Sequence, residues 1–158
     1  MKERVYVETS VIGAYFDERT DVVSMAQRFW TRRWWDEVRQ AYELVTSQAV
    51  IDELQHPDFP YARQAVQLVQ ALPKLPIVDE IRQIVKLYIQ YQLMPKNPVG
   101  DALHLAFASY HKCDYLLTWN CQHLANPNKF HRIRLYNTAG GLYVPTLCTP
   151  NQLLGEPV

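Results

Sequence analysis

The sequence VYVETSVI at residues 5–12 joins a short apolar run to an acid and a helix cap, and it sets the architecture of the chain. The apolar run at 5–7 predicts a short buried strand. Thr9 or Ser10 then offers an N-cap for the helix that follows. Glu8 therefore lies at the junction between a predicted strand and a predicted helix.

The same alternation of short apolar strands and longer helices continues along the chain. We predict further strands at 43–46, 115–118, 133–136 and 142–147, and helices at 9–16, 21–40, 48–55, 61–72, 79–93 and 98–111. Strands that alternate with helices form a parallel sheet with helices on both faces. The predicted fold class is therefore α/β, and in an open parallel sheet ligands bind beyond the carboxyl ends of the strands.

Length and composition are typical of one folded domain. The 158 residues, 48% of them apolar, predict a domain over residues 1–150 and a peripheral tail over 151–158. No apolar run approaches the ~20 residues of a membrane span, and the opening residues do not have the pattern of a signal peptide. The lack of such a run predicts no membrane partner. Three cysteines without a Cys-x-x-Cys pair predict a reduced, cytoplasmic protein.

The charge balance gives no support to a nucleic-acid partner. The formal net charge is +0, whereas proteins that bind nucleic acid nonspecifically are usually basic. Two local stretches either contact phosphate or form a solvated surface. They are Arg28, Arg32 and Arg33 in the first, and Lys129, Arg132 and Arg134 in the second.

Three carboxylates and one amide lie at the predicted ends of helices and strands. Glu8 and Asn120 each follow a predicted strand, so both should face the crevice at the carboxyl edge of the sheet. Asp101 opens a helix that is apolar nearly all round, where a carboxylate is rarely buried without a partner. In the helix at 48–55, the apolar stripe leaves Glu53 on the flank, within reach of a cleft. Together the four predict a hard-metal site suited to phosphodiester chemistry.

Each of these residues also has an ordinary structural explanation, which the sequence leaves open. Glu8 and Asp101 lie near helix N-termini, where the helix dipole favours a negative charge. Glu53 could form a salt bridge at the boundary of the core, and Asn120 could belong to a turn. Only the four residues taken as a set favour a functional site.

Four segments together resemble the PIN-domain family, and in particular the VapC-like toxins of bacterial toxin–antitoxin pairs. They are YVETSVI at 6–12, DEL at 52–54, GDALHLA at 100–106 and DYLLTWN at 114–120. The resemblance implies a three-layer α/β/α sandwich with a central parallel sheet of about five strands. It also implies a Mg²⁺- or Mn²⁺-dependent endoribonuclease that leaves a 3′-hydroxyl and a 5′-phosphate, forms a homodimer and is captured by an antitoxin.

The resemblance also assigns roles to individual residues. The expected metal ligands, also catalytic, are Glu8, Glu53 and Asp101. Asn120 stands where the family often has Asp, and it is expected to assist catalysis directly or through water. The expected substrate-binding residues are Thr9, His104 and Thr118.

Two of these matches depart from the commonest pattern of the family. Glu8 is one methylene longer than the usual Asp, which shifts a bound metal by roughly an ångström. Asn120 keeps an oxygen ligand but lacks a charge, so we expect one firm metal site and a second ion only alongside RNA. Asp114 is expected to be too distant to replace that charge, because it begins the strand that Asn120 follows and lies about 20 Å away.

Three other groups admit more than one interpretation. His104 shares a helix face with Asp101, so it could orient an acid, contact phosphate or be an interior histidine. Cys113, Cys121 and His123 lack a standard zinc spacing and an evident fourth ligand. An aromatic cluster could serve core packing, a partner contact or base stacking. Its members are Phe29, Trp30, Trp34 and Trp35.

The sequence therefore leaves two functions open. The first is an endoribonuclease dependent on Mg²⁺ or Mn²⁺, the toxin of a toxin–antitoxin pair, with RNA as substrate. The alternative is a catalytically impaired PIN scaffold that binds RNA or a protein. The missing acid at residue 120 favours the alternative, whereas Glu53 and Asp101 favour the nuclease.

Overall fold

A parallel sheet of four strands forms the centre of the computed structural model, which describes residues 1–155. The strands are β1 (Arg4–Val7), β2 (Glu43–Val45), β3 (Tyr115–Leu117) and β4 (Thr146–Cys148). Their order is β2-β1-β3-β4, and every neighbouring pair is parallel. The predicted α/β class with a central parallel sheet is confirmed.

Helices form much of the remaining chain. They are α1 (Thr9–Phe16), α2 (Val22–Arg33), α3 (Gln48–Leu54), α4 (Ala62–Gln70), α5 (Asp79–Gln90), α6 (Gly100–Tyr110) and α7 (Pro127–Ala139). A π-helical turn and a 3₁₀ turn extend α2, and a second 3₁₀ helix follows β4. These three are Trp34–Val38, Arg39–Ala41 and Pro150–Leu153.

The central strand β1 requires cover on both faces of the sheet. The side chains of Val5, Tyr6 and Val7 are all completely buried, although successive strand residues point to opposite faces. Among the helices, α1 packs against α2, α3 against α4 and α5 against α6. The arrangement is the expected α/β/α sandwich, and its core is a single cluster of mainly aliphatic side chains.

The strand predicted at 133–136 is wrong, because these residues lie inside α7. The Asn126 side chain accepts a hydrogen bond from the Asn128 backbone amide, and Pro127 occupies the start of the helix. Ile133 and Asn137, four residues apart, are both buried and mark the inner face of a helix. The sheet of the described residues therefore has four strands where about five were predicted.

The aromatic cluster at the end of α2 is only partly a core feature. Trp34 and Trp35 are buried, whereas Trp30 is half-buried and Phe29 is 57% exposed. Core packing therefore explains two of the four rings. Phe29 remains as part of an exposed apolar surface on α2.

The tail predicted after residue 150 begins within the packed structure. The 3₁₀ helix Pro150–Leu153 places Leu153 in the core. The last residues of the predicted tail, 156–158, lie outside the described part of the chain. Within residues 1–155, no helix combines the length and the apolar character needed to cross a bilayer.

Asn137 ties α7 to its neighbours through buried hydrogen bonds. Its side chain accepts from the Tyr88 hydroxyl at 2.6 Å and donates to Ser109 Oγ and to the Tyr143 carbonyl oxygen, each at 2.9 Å. A completely buried amide is tolerated because its polar atoms are satisfied.

Asn137→Ala is expected to lower the free energy of unfolding by about 2–5 kcal/mol, because each buried polar group left without a partner costs about 1–3 kcal/mol. Urea denaturation measures the change. The control is Asn128→Ala, an exposed residue on the same helix, which should stay within about 0.5 kcal/mol of the unchanged protein. Equal losses in the two variants would show that the buried amide has no special role.

Candidate active site

The predicted site residues converge at the carboxyl end of the sheet. Glu8 directly follows β1, and its backbone amide joins β3 through a hydrogen bond of 3.1 Å. Thr118 directly follows β3, and Asn120, two residues later, hydrogen bonds to Asp101 of α6. Glu53 reaches the same region from α3. The strand-end argument from the sequence therefore located Glu8 and Asn120 correctly.

Glu8 caps helix α1 and is only 6% exposed. Its Oε2 accepts from the Ser10 backbone amide at 2.9 Å, and its Oε1 accepts from the hydroxyls of Ser10 (2.5 Å) and Thr118 (2.7 Å). A carboxylate at this position is also favoured by the helix dipole. The structure thus gives Glu8 the capping role, and it makes the completely buried Thr118 a partner of Glu8 rather than a residue open to substrate.

Glu53 lies on the flank of α3, as predicted, with its side chain open to solvent. Its Oε1 is bound by His104 Nε2 and accepts from the Thr9 hydroxyl at 3.1 Å. Burial raises the pKa of Glu53, but the hydrogen bond and charge of His104, with the hydrogen bond of Thr9, hold that pKa below its ordinary value. Thr9, predicted to bind substrate, therefore contacts an acid of the site.

His104 is the interior partner of Glu53 and is 1% exposed. Its Nδ1 bonds the Tyr6 hydroxyl at 2.7 Å, and that hydroxyl bonds Ser47 Oγ at 2.7 Å. Burial lowers the pKa of His104, but Glu53 and the charges of the other two acids outweigh it and raise that pKa. Of the interpretations left open, the structure supports an interior histidine that orients an acid, and not a direct phosphate contact.

Asp101 and Asn120 form a second pair. Asn120 Nδ2 donates to Asp101 Oδ1 at 2.8 Å, and Asn120 Oδ1 accepts from the His123 backbone amide at 3.0 Å. Because His123 occupies the amide oxygen, the amide nitrogen faces the carboxylate. Burial raises the pKa of the half-buried Asp101, against the opposing charges of His123 and His104. For Asp101, the effect of burial therefore outweighs that of the neighbouring positive charges and of the Asn120 hydrogen bond.

The free oxygen atoms determine what a cation could bind. Within residues 1–155, Glu53 Oε2 and Asp101 Oδ2 accept no hydrogen bond, whereas both Glu8 oxygens do. In the same range, no three His, Cys, Asp or Glu side chains are placed to share one ion. The predicted ligand set of three carboxylates is therefore not assembled, but two carboxylate oxygens fit Mg²⁺, which takes one or two and keeps several waters.

Gly100 permits the approach of the two candidate ligands. A Cβ atom at this position would lie 3.3 Å from Glu53 Oε2, a tight contact. The absence of a side chain therefore lets the Glu53 carboxylate rest against the first turn of α6, next to Asp101. The segment GDALHLA thus contributes both an acid and the space for its neighbour.

The roles of Ser10, His123 and Lys129 were missed by sequence reasoning. The Ser10 hydroxyl donates to Glu8 and accepts from the Trp119 backbone amide at 2.8 Å, so it connects the ends of β1 and β3. Lys129 Nζ lies 3.3 Å from His123 Nδ1, and its charge acts on Asp101. The sequence indicates Lys129 only as part of a basic stretch, because the return of α7 toward α6 depends on long-range packing.

The other predicted basic stretch is occupied by local contacts. Arg28 donates to the Asp17 carbonyl oxygen at 2.5 Å, Arg32 to the Tyr15 carbonyl oxygen at 2.9 Å, and Arg33 to a carboxylate on the next turn. A solvated surface with internal partners therefore describes these three residues better than a phosphate contact.

Asp114 lies at the opposite end of the sheet, as predicted. It accepts from the Arg4 backbone amide at 2.7 Å and from the Tyr143 hydroxyl at 2.8 Å. Arg4 begins β1, whereas the candidate site follows the end of that strand. Asp114 therefore adds no charge to the site.

The pair formed by His104 and Glu53 predicts a pH dependence of stability. The raised pKa of His104 contributes stability that is complete below its unfolded value of about 6.5 and is lost as pH rises through the folded value. The lowered pKa of Glu53 contributes stability above its unfolded value of about 4.3, which is lost as pH falls through the folded value. We expect the pair to stabilise the fold most between these limits.

Urea denaturation from mildly acidic to alkaline pH measures this contribution. The free energy of unfolding of the unchanged protein should fall as pH rises above neutrality, and this fall should be smaller in Glu53→Gln. Asp52→Asn, an exposed neighbour on the same helix, should keep the original profile. Parallel profiles for Glu53→Gln and the unchanged protein would exclude the pair as the origin.

Comparison with known proteins identifies the family of the chain. No curated protein matched it. The model of the PIN domain matches residues 5–121, about three quarters of the chain, and this range contains all four residues predicted to form the site. PIN domains are generally nucleases, and those nucleases typically use divalent metals. The chain therefore belongs to the PIN domain family.

Proposed function

We propose that the protein is an endoribonuclease that depends on Mg²⁺ or Mn²⁺ and hydrolyses RNA phosphodiester bonds. One observation carries the proposal. Glu53 and Asp101 each have one carboxylate oxygen held by a neighbouring side chain and the other free of hydrogen bonds from the described residues. This arrangement orients two hard ligands and leaves each able to bind a cation.

Glu53 and Asp101 would hold the ion, with water as the remaining ligands. A bound divalent cation screens the anionic phosphate and lowers the pKa of a bound water. Glu8 is omitted from this ligand set because both of its oxygens are engaged at the N-terminus of α1. The proposal therefore keeps two of the three ligands predicted from the sequence.

The surrounding residues would position the two acids. His104 and Thr9 hold Glu53 Oε1, and Asn120 holds Asp101 Oδ1. Such outer contacts typically change metal affinity or activity by about 10–100-fold when they are removed. Lys129 would add a positive charge near Asp101, where a phosphate would approach.

The proposed biological role is the toxin of a toxin–antitoxin pair. It includes homodimerisation and capture by an antitoxin protein. The exposed apolar side chains on α2 offer a surface for such contacts, since exposed clusters of this kind often mark interfaces. They are Val22, Val23, Met25 and Phe29. An antitoxin reading frame next to the gene and a dimer in solution would support this role.

A catalytically impaired scaffold that binds RNA or a protein is the second candidate. The observation in its favour is that three His, Cys, Asp or Glu side chains do not come together around one ion anywhere in residues 1–155. The lack of a carboxylate at residue 120 also favours the impaired scaffold. This candidate predicts binding without cleavage, so the cleavage experiment separates the two.

We expect the purified protein to cleave labelled single-stranded RNA with Mg²⁺ or Mn²⁺ and not with EDTA. Asp101→Asn and Glu53→Gln should each reduce the rate by roughly a hundredfold or more, because the charge stabilisation at such a site is worth several kcal/mol. Asp52→Asn is the matched control and should keep the rate. DNA of the same sequence tests the preference for RNA, and equal cleavage by all variants would indicate another site or a contaminant.

Asn120→Asp tests the ion without relying on activity. The change replaces a donor with a carboxylate beside Asp101, and two such charges at ~4 Å repel by on the order of 4 kcal/mol. We expect a melting temperature several degrees lower in EDTA. Mn²⁺ should then raise the melting temperature of Asn120→Asp more than that of the unchanged protein, since a cation offsets the repulsion.

The control for this comparison is Asn128→Asp, an exposed position at the start of α7. Its melting temperature should respond to Mn²⁺ as the unchanged protein does. Equal changes of melting temperature with Mn²⁺ in Asn120→Asp and Asn128→Asp would argue that no cation binds between the side chains of residues 101 and 120.

A further inference from the structure

A cleft of about 770 Å³ opens beside the acidic residues of the site. It lies between α1, the start of α4 and the segment after β3. Aromatic rings form much of its wall, and two polar side chains connect it to the acids. These six residues are Phe16, Phe59, Tyr61, Trp119, Ser10 and Asn120. Its volume lies within the range of about 300–1,000 Å³ found for small-ligand sites.

Trp119 provides a fixed aromatic surface in this cleft. Its indole Nε1 donates to Thr31 Oγ1 at 2.7 Å, and its backbone amide donates to Ser10 Oγ at 2.8 Å. Thr31 is itself held, because its hydroxyl donates to the Gln27 carbonyl oxygen at 2.6 Å. The half-buried ring is therefore oriented before any ligand binds, which reduces the entropy lost on binding.

Phe59 and Tyr61 line the cleft from the connection between α3 and α4. A Cβ atom at Gly13 would lie 3.2 Å from Phe59 Cζ, so the Phe59 ring rests against the backbone of α1. Tyr61 has a left-handed backbone (φ 61°), and its hydroxyl donates to Glu18 Oε2 at 2.6 Å. Residues other than glycine are uncommon in this left-handed conformation, and those that adopt it cluster at active and ligand sites.

The charges in the cleft favour a neutral ligand over a phosphate. Asp17 and Glu18 both line it. Within residues 1–155, Arg19 is its only lining arginine or lysine, and it is paired with Asp17 at 2.6 Å. An anionic group would thus meet two carboxylates and a guanidinium that already has a partner. A flat, neutral ring could stack on the aromatic surfaces and hydrogen bond with the polar side chains.

Ser10 and Asn120 connect this cleft directly to the candidate active site. The Ser10 hydroxyl donates to Glu8, and the Asn120 amide donates to Asp101. A ligand that fills the cleft is therefore one side chain away from the proposed metal ligand Asp101. This adjacency suits a base attached to a backbone whose phosphate lies at the acids.

We propose that this cleft binds an unpaired nucleobase of a single-stranded nucleic acid, stacked between the surfaces of Trp119 and Phe59, next to the bond to be cleaved. The inference rests on the proposed nuclease function for its substrate class, and it adds a base-binding site. Stacking tolerates any base, so the site selects single strands more than it selects a sequence. A base within a duplex is paired and stacked, so it enters such a cleft only after unpairing, which costs about a few kcal/mol.

The test measures binding of short, labelled single-stranded RNA to the Asp101→Asn protein, so that cleavage does not interfere. Phe59→Ala, added to this protein, should weaken binding by about fivefold to a hundredfold, the effect expected for one stacked base. Phe130→Ala is the matched control, because Phe130 is a half-buried ring in a different cavity and should leave the affinity unchanged. Tyr61→Gly also removes a ring and suits the left-handed backbone, so it serves if Phe59→Ala does not fold.

A second arm uses RNAs that each lack one base. In the Asp101→Asn protein that keeps Phe59, removal of one particular base should weaken RNA binding. The same removal should have little further effect once Phe59→Ala is added, because the contact between that base and the ring is already lost. Single-stranded DNA of the same sequence identifies whether RNA or DNA supplies the better base. Duplex RNA should bind at least about tenfold more weakly than the single strand.

The outcomes separate this inference from the nuclease proposal. Base- and Phe59-dependent binding without any cleavage would support the cleft and contradict the nuclease. Cleavage together with binding that is insensitive to Phe59→Ala, Tyr61→Gly and base removal would overturn the cleft and leave the nuclease standing. Equal binding of duplex and single strand would also overturn it.

Discussion

The hydrogen bond between buried His104 and Glu53 is the interaction on which the site depends. It joins α6 to α3, and through the Tyr6 hydroxyl it reaches the central strand β1. The imidazole lies in the field of all three acids, and their charges favour its protonated form, so the pKa of His104 is raised despite its burial. Because that charge is buried, it remains effective at short range where a surface cation would be screened. A protonated His104 therefore offsets part of the repulsion among the acids at the end of the sheet.

This internal compensation divides the three acids into different roles. Glu8 accepts hydrogen bonds from two hydroxyls and from the N-terminus of α1, so it serves the fold. Glu53 is balanced by His104 through one oxygen and is free at the other. Asp101 is the least compensated, because Asn120 supplies a dipole and not a charge while burial raises the Asp101 pKa. Groups with pKa values shifted by burial and neighbours concentrate at functional sites, and Asp101 is the acid with most to gain from a cation.

The sequence predicted the placement of the site better than its internal bonding. Helical periodicity placed Glu53 on a flank, and the order of strands and helices located Glu8 and Asn120 at one edge, because both inferences depend on local regularities. The partners of these residues depend on contacts between distant segments, such as His104 with Glu53, which lie 51 residues apart. The wrong strand at 133–136 could have been avoided from local sequence, since Asn126 followed by Pro127 is typical of a helix start. The aromatic cleft left no pattern in the sequence, because its four rings come from three separate segments.

The neutral charge of the chain is consistent with a nucleic-acid ligand if bases, rather than phosphates, supply the contact. Binding through phosphates needs several free cations, and its strength derives from the release of counterions. Here Arg28 and Arg32 donate to backbone carbonyl oxygens, Arg19 is paired with Asp17, and Lys129 lies beside the acids. Stacking on a fixed indole needs no net charge and acts only on unpaired bases. A protein with formal net charge +0 that binds single strands through an aromatic cleft would thus prefer single strands to duplexes. The base bound in the cleft would then position the phosphate next to it at the acids.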